Sequence, residues 1–260
     1  MTGGRPDLVL LHGLGSAATY WDNLVGDLGA DFSVIALDLP GHGPGAVRPT
    51  PAEAVPRAMA EAVRAGLAAR GVVRPHVMGL SLGGWVALEM AALGAVESVV
   101  ALAPAGLWRQ GARIPLAREG TLLRPWLGVL DPALPALVRL PSVKHLALRS
   151  NLFDPSRATD AQLLAAARAL RQARGFGVCD RAAVENRFEG GPAVSVPTTV
   201  AFGDDDRVLA PGSSQERALL PGHAEWVRVP RCGHAVSWDR PQVALDLVRS
   251  TAARAKNPAA

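Results

Sequence analysis

Short, unbroken apolar runs recur along the chain, and helix-forming segments lie between them. Leu8-Val9-Leu10-Leu11, Ser33-Val34-Ile35-Ala36-Leu37, residues 72–78, Ser98-Val99-Val100-Ala101-Leu102, Thr198-Thr199-Val200-Ala201-Phe202 and Glu225-Trp226-Val227-Arg228-Val229 are the strand candidates. Most are continuously apolar rather than alternating, which suits strands covered on both faces. Helical stretches are expected over 20–28, over the Ala-rich 51–70, from just after Ser81, and over 241–254, where Pro241 sits near the first turn. Strands alternating with helices predict a doubly wound α/β domain around a parallel sheet.

Residues 105–195 break this alternation. They hold Pro115, Pro125, Pro132, Pro135, Pro141 and Pro155, together with amphipathic stretches such as 160–174, and no strand candidate stands out between Leu107 and Ala193. A helical insertion over one end of the sheet is expected, because ligands bind outside the carboxyl ends of parallel strands. The core is therefore assigned to 1–104 and 196–260, the insertion to 105–195, and 256–260 to a frayed tail.

Composition narrows the function. A chain of 260 residues with 49% hydrophobic and 19% charged residues is globular rather than disordered. Its net charge of +4 rests on arginine, since Lys144 and Lys256 are the only lysines, and no basic run tracks a phosphate backbone. Nucleic-acid binding is not expected. Two cysteines, Cys179 and Cys232, lack metal-ligand spacing and imply no disulfide framework. The N-terminus lacks the charged start and apolar core of a signal peptide, and no run reaches a membrane span. A soluble cytoplasmic protein acting on small molecules is expected.

Candidate chemistry gathers at the ends of the strand candidates. Gly79-Leu80-Ser81-Leu82-Gly83 joins the third strand to a helix, an arrangement that exposes a serine hydroxyl on a tight turn between glycines. His12-Gly13-Leu14-Gly15 follows the first strand and Asp38-Leu39-Pro40-Gly41-His42-Gly43 the second. Gly203-Asp204-Asp205-Asp206 follows the fifth, and Gly233-His234 the sixth. A serine needs a base to take its proton during attack, and a histidine base needs a carboxylate to fix its tautomer.

This set, in this order, resembles the α/β-hydrolase family over nearly the whole chain outside the insertion, with a likeness to small microbial carboxylesterases. The resemblance implies Ser81 as nucleophile, His234 as base and Asp206 as acid, with Asp205 the main rival and Asp204 a weaker one. It implies an oxyanion hole from the backbone N–H groups of Leu14 and Leu82, and no metal or organic cofactor. The strand at Leu8 leaves no room for the two strands that usually precede it. A sheet of about six parallel strands follows, with the second candidate at one edge beside the first.

The machinery does not name the substrate. Ser81 in place of an aspartate argues against dehalogenase and epoxide-hydrolase chemistry. Hydrolysis of small, largely apolar esters, thioesters or lactones is the leading expectation, with Trp108 and Trp126 as candidate pocket walls. Cys232-Gly233-His234 with Trp238 resembles carbon–carbon hydrolases of vinylogous diketones, but the loop after His12 lacks their longer Gly-rich sequence. A perhydrolase or haloperoxidase side activity would use the same residues, and a slow ligand-binding scaffold is the reading of a different class. His12 and His42 are expected to order their loops. Asp38 should support its turn, Cys232 should be a packing residue, and Trp85 should be core.

Overall fold

The computed structural model describes residues 4–112, 114, 117–191 and 196–256. Residues 1–3, Pro115, the expected boundary at 195 and the expected tail beyond Lys256 lie outside them. Six strands, β1 (Asp7–Leu11), β2 (Ser33–Leu37), β3 (His76–Leu80), β4 (Ser98–Leu102), β5 (Thr198–Gly203) and β6 (Glu225–Val229), form one all-parallel sheet in the order β2-β1-β3-β4-β5-β6. Strands β3, β4 and β5 are buried along their whole length, whereas the edges β2 and β6 are largely half-buried. The unbroken apolar runs therefore mark the sheet's centre, as two-sided coverage requires.

Helices α1 (Asp22–Leu28), α2 (Pro56–Ala68) and α3 (Leu82–Ala92) follow the first three strands. Between β4 and β5 come α4 (Arg118–Leu130), α5 (Leu134–Leu137), α6 (Pro141–Leu148), α7 (Asp160–Gln172) and α8 (Phe176–Glu185), with no strand among the described residues there. The chain closes with α9 (Pro211–Ser214), α10 (Val236–Asp239) and α11 (Pro241–Lys256). Helix α3 is buried from Leu82 to Ala91, so its faces are equally apolar, as a helix enclosed between sheet and neighbours must be.

Two starts differ from the expected ones by four residues or more. The third strand starts at His76, not Val72, because Pro75 interrupts the apolar run and leaves Val73 exposed ahead of it. Helix α2 begins at Pro56 rather than near 51, with the fixed φ of Pro56 opening its first turn. Both shifts leave the carboxyl ends of the strands, where the motifs sit, in the expected places.

Candidate active site

Ser81 occupies the turn from β3 into α3 with φ 54° and ψ −115°, a conformation that a non-glycine residue adopts only when its surroundings enforce it. The enforcement is visible on both sides. A Cβ on Gly79 would overlap the Gly83 carbonyl, and one on Gly83 would overlap the carbonyls of Leu11 and His12. The two glycines thus let β3, α3 and the end of β1 approach backbone to backbone. Ser81 donates its N–H to the Leu102 carbonyl, and its own carbonyl accepts from Trp85 and Ala105. Its side chain is half-buried at the head of α3.

The loop after β1 is held beside this turn. A Cβ on Gly13 would lie 3.3 Å from the Ser81 Cβ, so the segment bearing Leu14 runs against the serine. His12 fixes that segment. Its Nε2 accepts from the Leu39 N–H at 3.0 Å, so Nδ1 carries the proton and donates to the Gly13 carbonyl at 2.7 Å. Complete burial, with His42 close by, lowers its pKa to about 3 and keeps the ring neutral. His42 donates Nδ1–H to the Pro40 carbonyl, and burial lowers its pKa as well. Asp38 accepts from the Ala18 N–H at 2.7 Å and fills the space where a Gly43 side chain would stand. All three order loops, in line with the sequence expectation.

His234 and Asp206 meet behind β5 and β6. His234 Nδ1 donates to Asp206 Oδ2 at 2.9 Å, and both side chains are buried. The other carboxylate oxygen accepts from the N–H groups of Val208 and Leu209, each at 2.8 Å. With both oxygens engaged, Asp206 holds one orientation and dictates which imidazole nitrogen bears the proton. Its neighbours are placed otherwise. Asp204 is exposed and pairs with Arg228 at 2.8 Å, while Asp205 uses its backbone N–H on the Cys232 carbonyl.

One buried carboxylate near His234 escaped the sequence reading. Asp239 is fully buried, and its Oδ2 accepts from the N–H groups of Gly233 and Phe153, each at 2.8 Å. Its Oδ1 accepts from Asp154 N–H at 3.3 Å. Ala235 N–H adds a bond to the Asn151 carbonyl at 2.9 Å. Residues 151–154 are thereby tied to the loop that carries His234. Trp238 stacks on Tyr20, at 5.1 Å between ring centroids, and donates Nε1–H to its carbonyl. Cys232 is a buried thiol whose pKa is pushed up to about 12, chiefly by burial, which suits packing rather than attack.

The two expected pocket tryptophans do not behave alike. Trp108 is buried edge-on against Trp85, the core residue of α3, and donates to the Ala183 carbonyl at 3.1 Å. Trp126 on α4 is 64% exposed. A residue not singled out from sequence, Phe176 at the start of α8, lies against Gly15 and against Gly120 of α4, leaving no room for a Cβ at either. Among the described residues no group of His, Cys, Asp and Glu is placed to hold a metal ion, and no helix is long and apolar enough to cross a membrane.

A parallel doubly wound sheet with a strained serine at the β3–α3 turn defines a class of α/β enzyme scaffold. The alpha/beta hydrolase family matches residues 8–247, and the chain belongs to that family. It is 30% identical to a pimeloyl-[acyl-carrier protein] methyl ester esterase of Nitrosomonas europaea, over 90% of each chain. It is 27% identical to Esterase Rv0045c of Mycobacterium tuberculosis, over 95% of this chain and 83% of that protein. Among solved structures, the enol-lactonase of Burkholderia xenovorans superposes with a TM-score of 0.69 at 19% identity, over 96% of this chain and 92% of that one, a likeness of fold.

Proposed function

We propose that this protein is a serine hydrolase of small, largely apolar carboxylic esters, thioesters or lactones, working through an acyl-enzyme on Ser81. The observation that carries the reading is the buried Asp206–His234 hydrogen bond, on loops at the carboxyl ends of β5 and β6, with a serine held at positive φ at the carboxyl end of β3 in the same parallel sheet. Strain at a serine with no chemical task would be removed by a glycine at no loss to the fold. The esterase names of two relatives point the same way.

In the proposed reaction Ser81 Oγ attacks the carbonyl carbon while His234 Nε2 takes its proton. Asp206 stabilises the imidazolium that results. The oxyanion accepts from Leu82 N–H, which at the first position of α3 has no intrahelical acceptor, and from Leu14 N–H on the loop beside Ser81. Collapse of the tetrahedral adduct breaks the bond to the leaving group, which departs with the proton from His234. Water then attacks the acyl-serine by the same relay and regenerates Ser81. Asp206 is preferred to Asp205 and Asp204 because it alone of the three bonds the imidazole. These steps call only on side chains, backbone and water.

Residues 105–195 act, in this reading, as a cap that shapes the pocket. Its helix α8 sets the Phe176 ring against Gly15, one residue beyond Leu14, which favours a compact apolar acyl group over a polar one. Labelling with a fluorophosphonate tests the mechanism. Stoichiometric labelling that vanishes in Ser81→Ala and falls sharply in His234→Ala is expected. A well-folded protein that is not labelled would overturn it in favour of a binding scaffold. A panel of p-nitrophenyl esters from acetate to long chains, run beside a meta-cleavage dienoate, fixes the bond type; turnover of the dienoate alone would refute the ester reading.

A further inference from the structure

Helix α4 is turned the wrong way round for a helix of a water-soluble domain. Its exposed side carries Leu122 at 72% exposure, Trp126 at 64% and Val129 at 72%, flanked by Leu123 and Leu130. At ~100° per residue these five side chains fill one arc of about 120°, which holds no polar residue from Leu122 to Leu130; the same count puts position 119, a glutamate, on that arc one turn earlier. The adjoining side faces the protein: Leu127 is buried, Gly120 abuts Phe176, and α4 packs on α7 and α8. A helix that follows the usual rule would bury the arc and expose the rest. Exposed patches of several large apolar side chains mark interaction sites.

We propose that this arc of α4 docks on an anionic lipid surface. Charge selects that occupant. Residues 105–195 hold thirteen Arg and Lys against seven Asp and Glu, so this segment carries +6 while the rest of the chain carries −2. The excess reaches the helix itself: Asp131, its C-cap, is shared by Arg168 at 3.8 Å and Arg171 at 3.7 Å, leaving a positive balance along the α4–α7 seam. A second copy seated on the arc would bring two such segments of +6 together, and like charge opposes it. An anionic bilayer offers the complement on both counts, hydrocarbon for the leucines and negative headgroups for the arginines. Trp126 suits the boundary between the two. The arc belongs to the element that touches Phe176, so docking would set the site's mouth over the membrane. The proposal does not depend on which bond Ser81 attacks.

Flotation of the whole protein with phosphatidylcholine vesicles, with and without an equal part of phosphatidylglycerol, tests it. Binding about tenfold stronger to the anionic vesicles is expected, collapsing at about 0.5 M NaCl. Leu122→Ser combined with Val129→Ser should weaken binding by about tenfold while leaving kcat/KM on a soluble p-nitrophenyl ester and the Tm unchanged. Equal binding to both vesicle types, binding to neither, or full binding by the double variant would overturn the proposal. So would a wild-type dimer in sedimentation equilibrium that the double variant dissolves, which would give the arc to a second copy. A fall in soluble-ester kcat/KM would give it to the substrate pocket instead. Should the double variant not fold, the lipid and salt dependence of the wild type decides alone.

Discussion

Replacing Asp206 by Asn alters one atom of a buried carboxylate and separates positioning from charge. Asp206 has three donors facing it: His234 Nδ1 at 2.9 Å on one oxygen, and the N–H groups of Val208 and Leu209 at 2.8 Å on the other. An asparagine has one acceptor end and one donor end. Turning the amide oxygen towards His234 would press the NH2 against two backbone N–H groups, so the side chain keeps its oxygen on Val208 and Leu209. The NH2 then faces Nδ1, which must give up its proton, and the hydrogen moves to Nε2, the nitrogen that has to accept from Ser81. Turnover of a p-nitrophenyl ester should fall by about 10³–10⁴-fold, or roughly 4–5.5 kcal/mol of transition-state stabilisation. Both backbone bonds survive, so Tm should move by no more than a few degrees, as for a change near 1 kcal/mol. Asp205→Asn, which touches no imidazole, should stay within about twofold of wild type. A kcat for Asp206→Asn above a tenth of wild type, or an equal collapse in Asp205→Asn, would refute the reasoning.

Further outcomes follow from the packing. Acid should destabilise the fold through His12, whose folded pKa of about 3 lies below its ordinary value of 6.5. The unfolded chain takes up the proton first, so stability present above pH ~6.5 is lost as pH falls towards ~3, by about 2 kcal/mol between pH 7.5 and 5. In urea titrations the acid-side loss should be smaller in His12→Gln than in wild type by about that amount, the remainder coming from buried groups such as His42, and equal slopes would exclude His12 as a source. Gly83→Ala places a methyl group into the Leu11 and His12 carbonyls and should cost more than about 3 kcal/mol, read as lost soluble yield or a Tm lowered by ten degrees or more; near-native Tm would contradict the backbone contact. Asp239→Ala leaves the N–H groups of Gly233, Phe153 and Asp154 without their acceptor in a buried site, and should lower the unfolding free energy by about 3 kcal/mol together with kcat. Asp239→Glu should not restore it, since the longer side chain misplaces both oxygens.

The sheet and the ends of its strands were legible because a parallel sheet writes itself in unbroken apolar runs, each stopping at a motif. The same rule misplaced the start of β3, since Val72 and Val73 extend the apolar run although Pro75 divides it. Gly79 and Gly83 could be read locally, as their task is close approach within one turn. Asp239 could not. Its partners at 153 and 154 lie more than eighty residues away, and Asp-Arg-Pro before a helix looks like any capping sequence. Phe176 was hidden for the same reason, its contacts being two glycines in distant elements. Trp126 shows a different limit: periodicity reveals that α4 has an apolar face, but not that this face is turned to solvent.

The bonds made by Asp239 bear on how such enzymes diversify. Because its carboxylate grips the middle of residues 105–195 and the strand-to-helix loop ahead of α10 at once, exchanging those ninety or so residues with a relative is no free graft. A donor segment must bring a backbone that presents two N–H groups where Phe153 and Asp154 do, or the recipient's imidazole loses its anchorage. Chimaeras with junctions outside 151–154 that ignore this geometry should lose turnover before they lose the fold. A segment exchange should therefore keep turnover only where the donor preserves the seam.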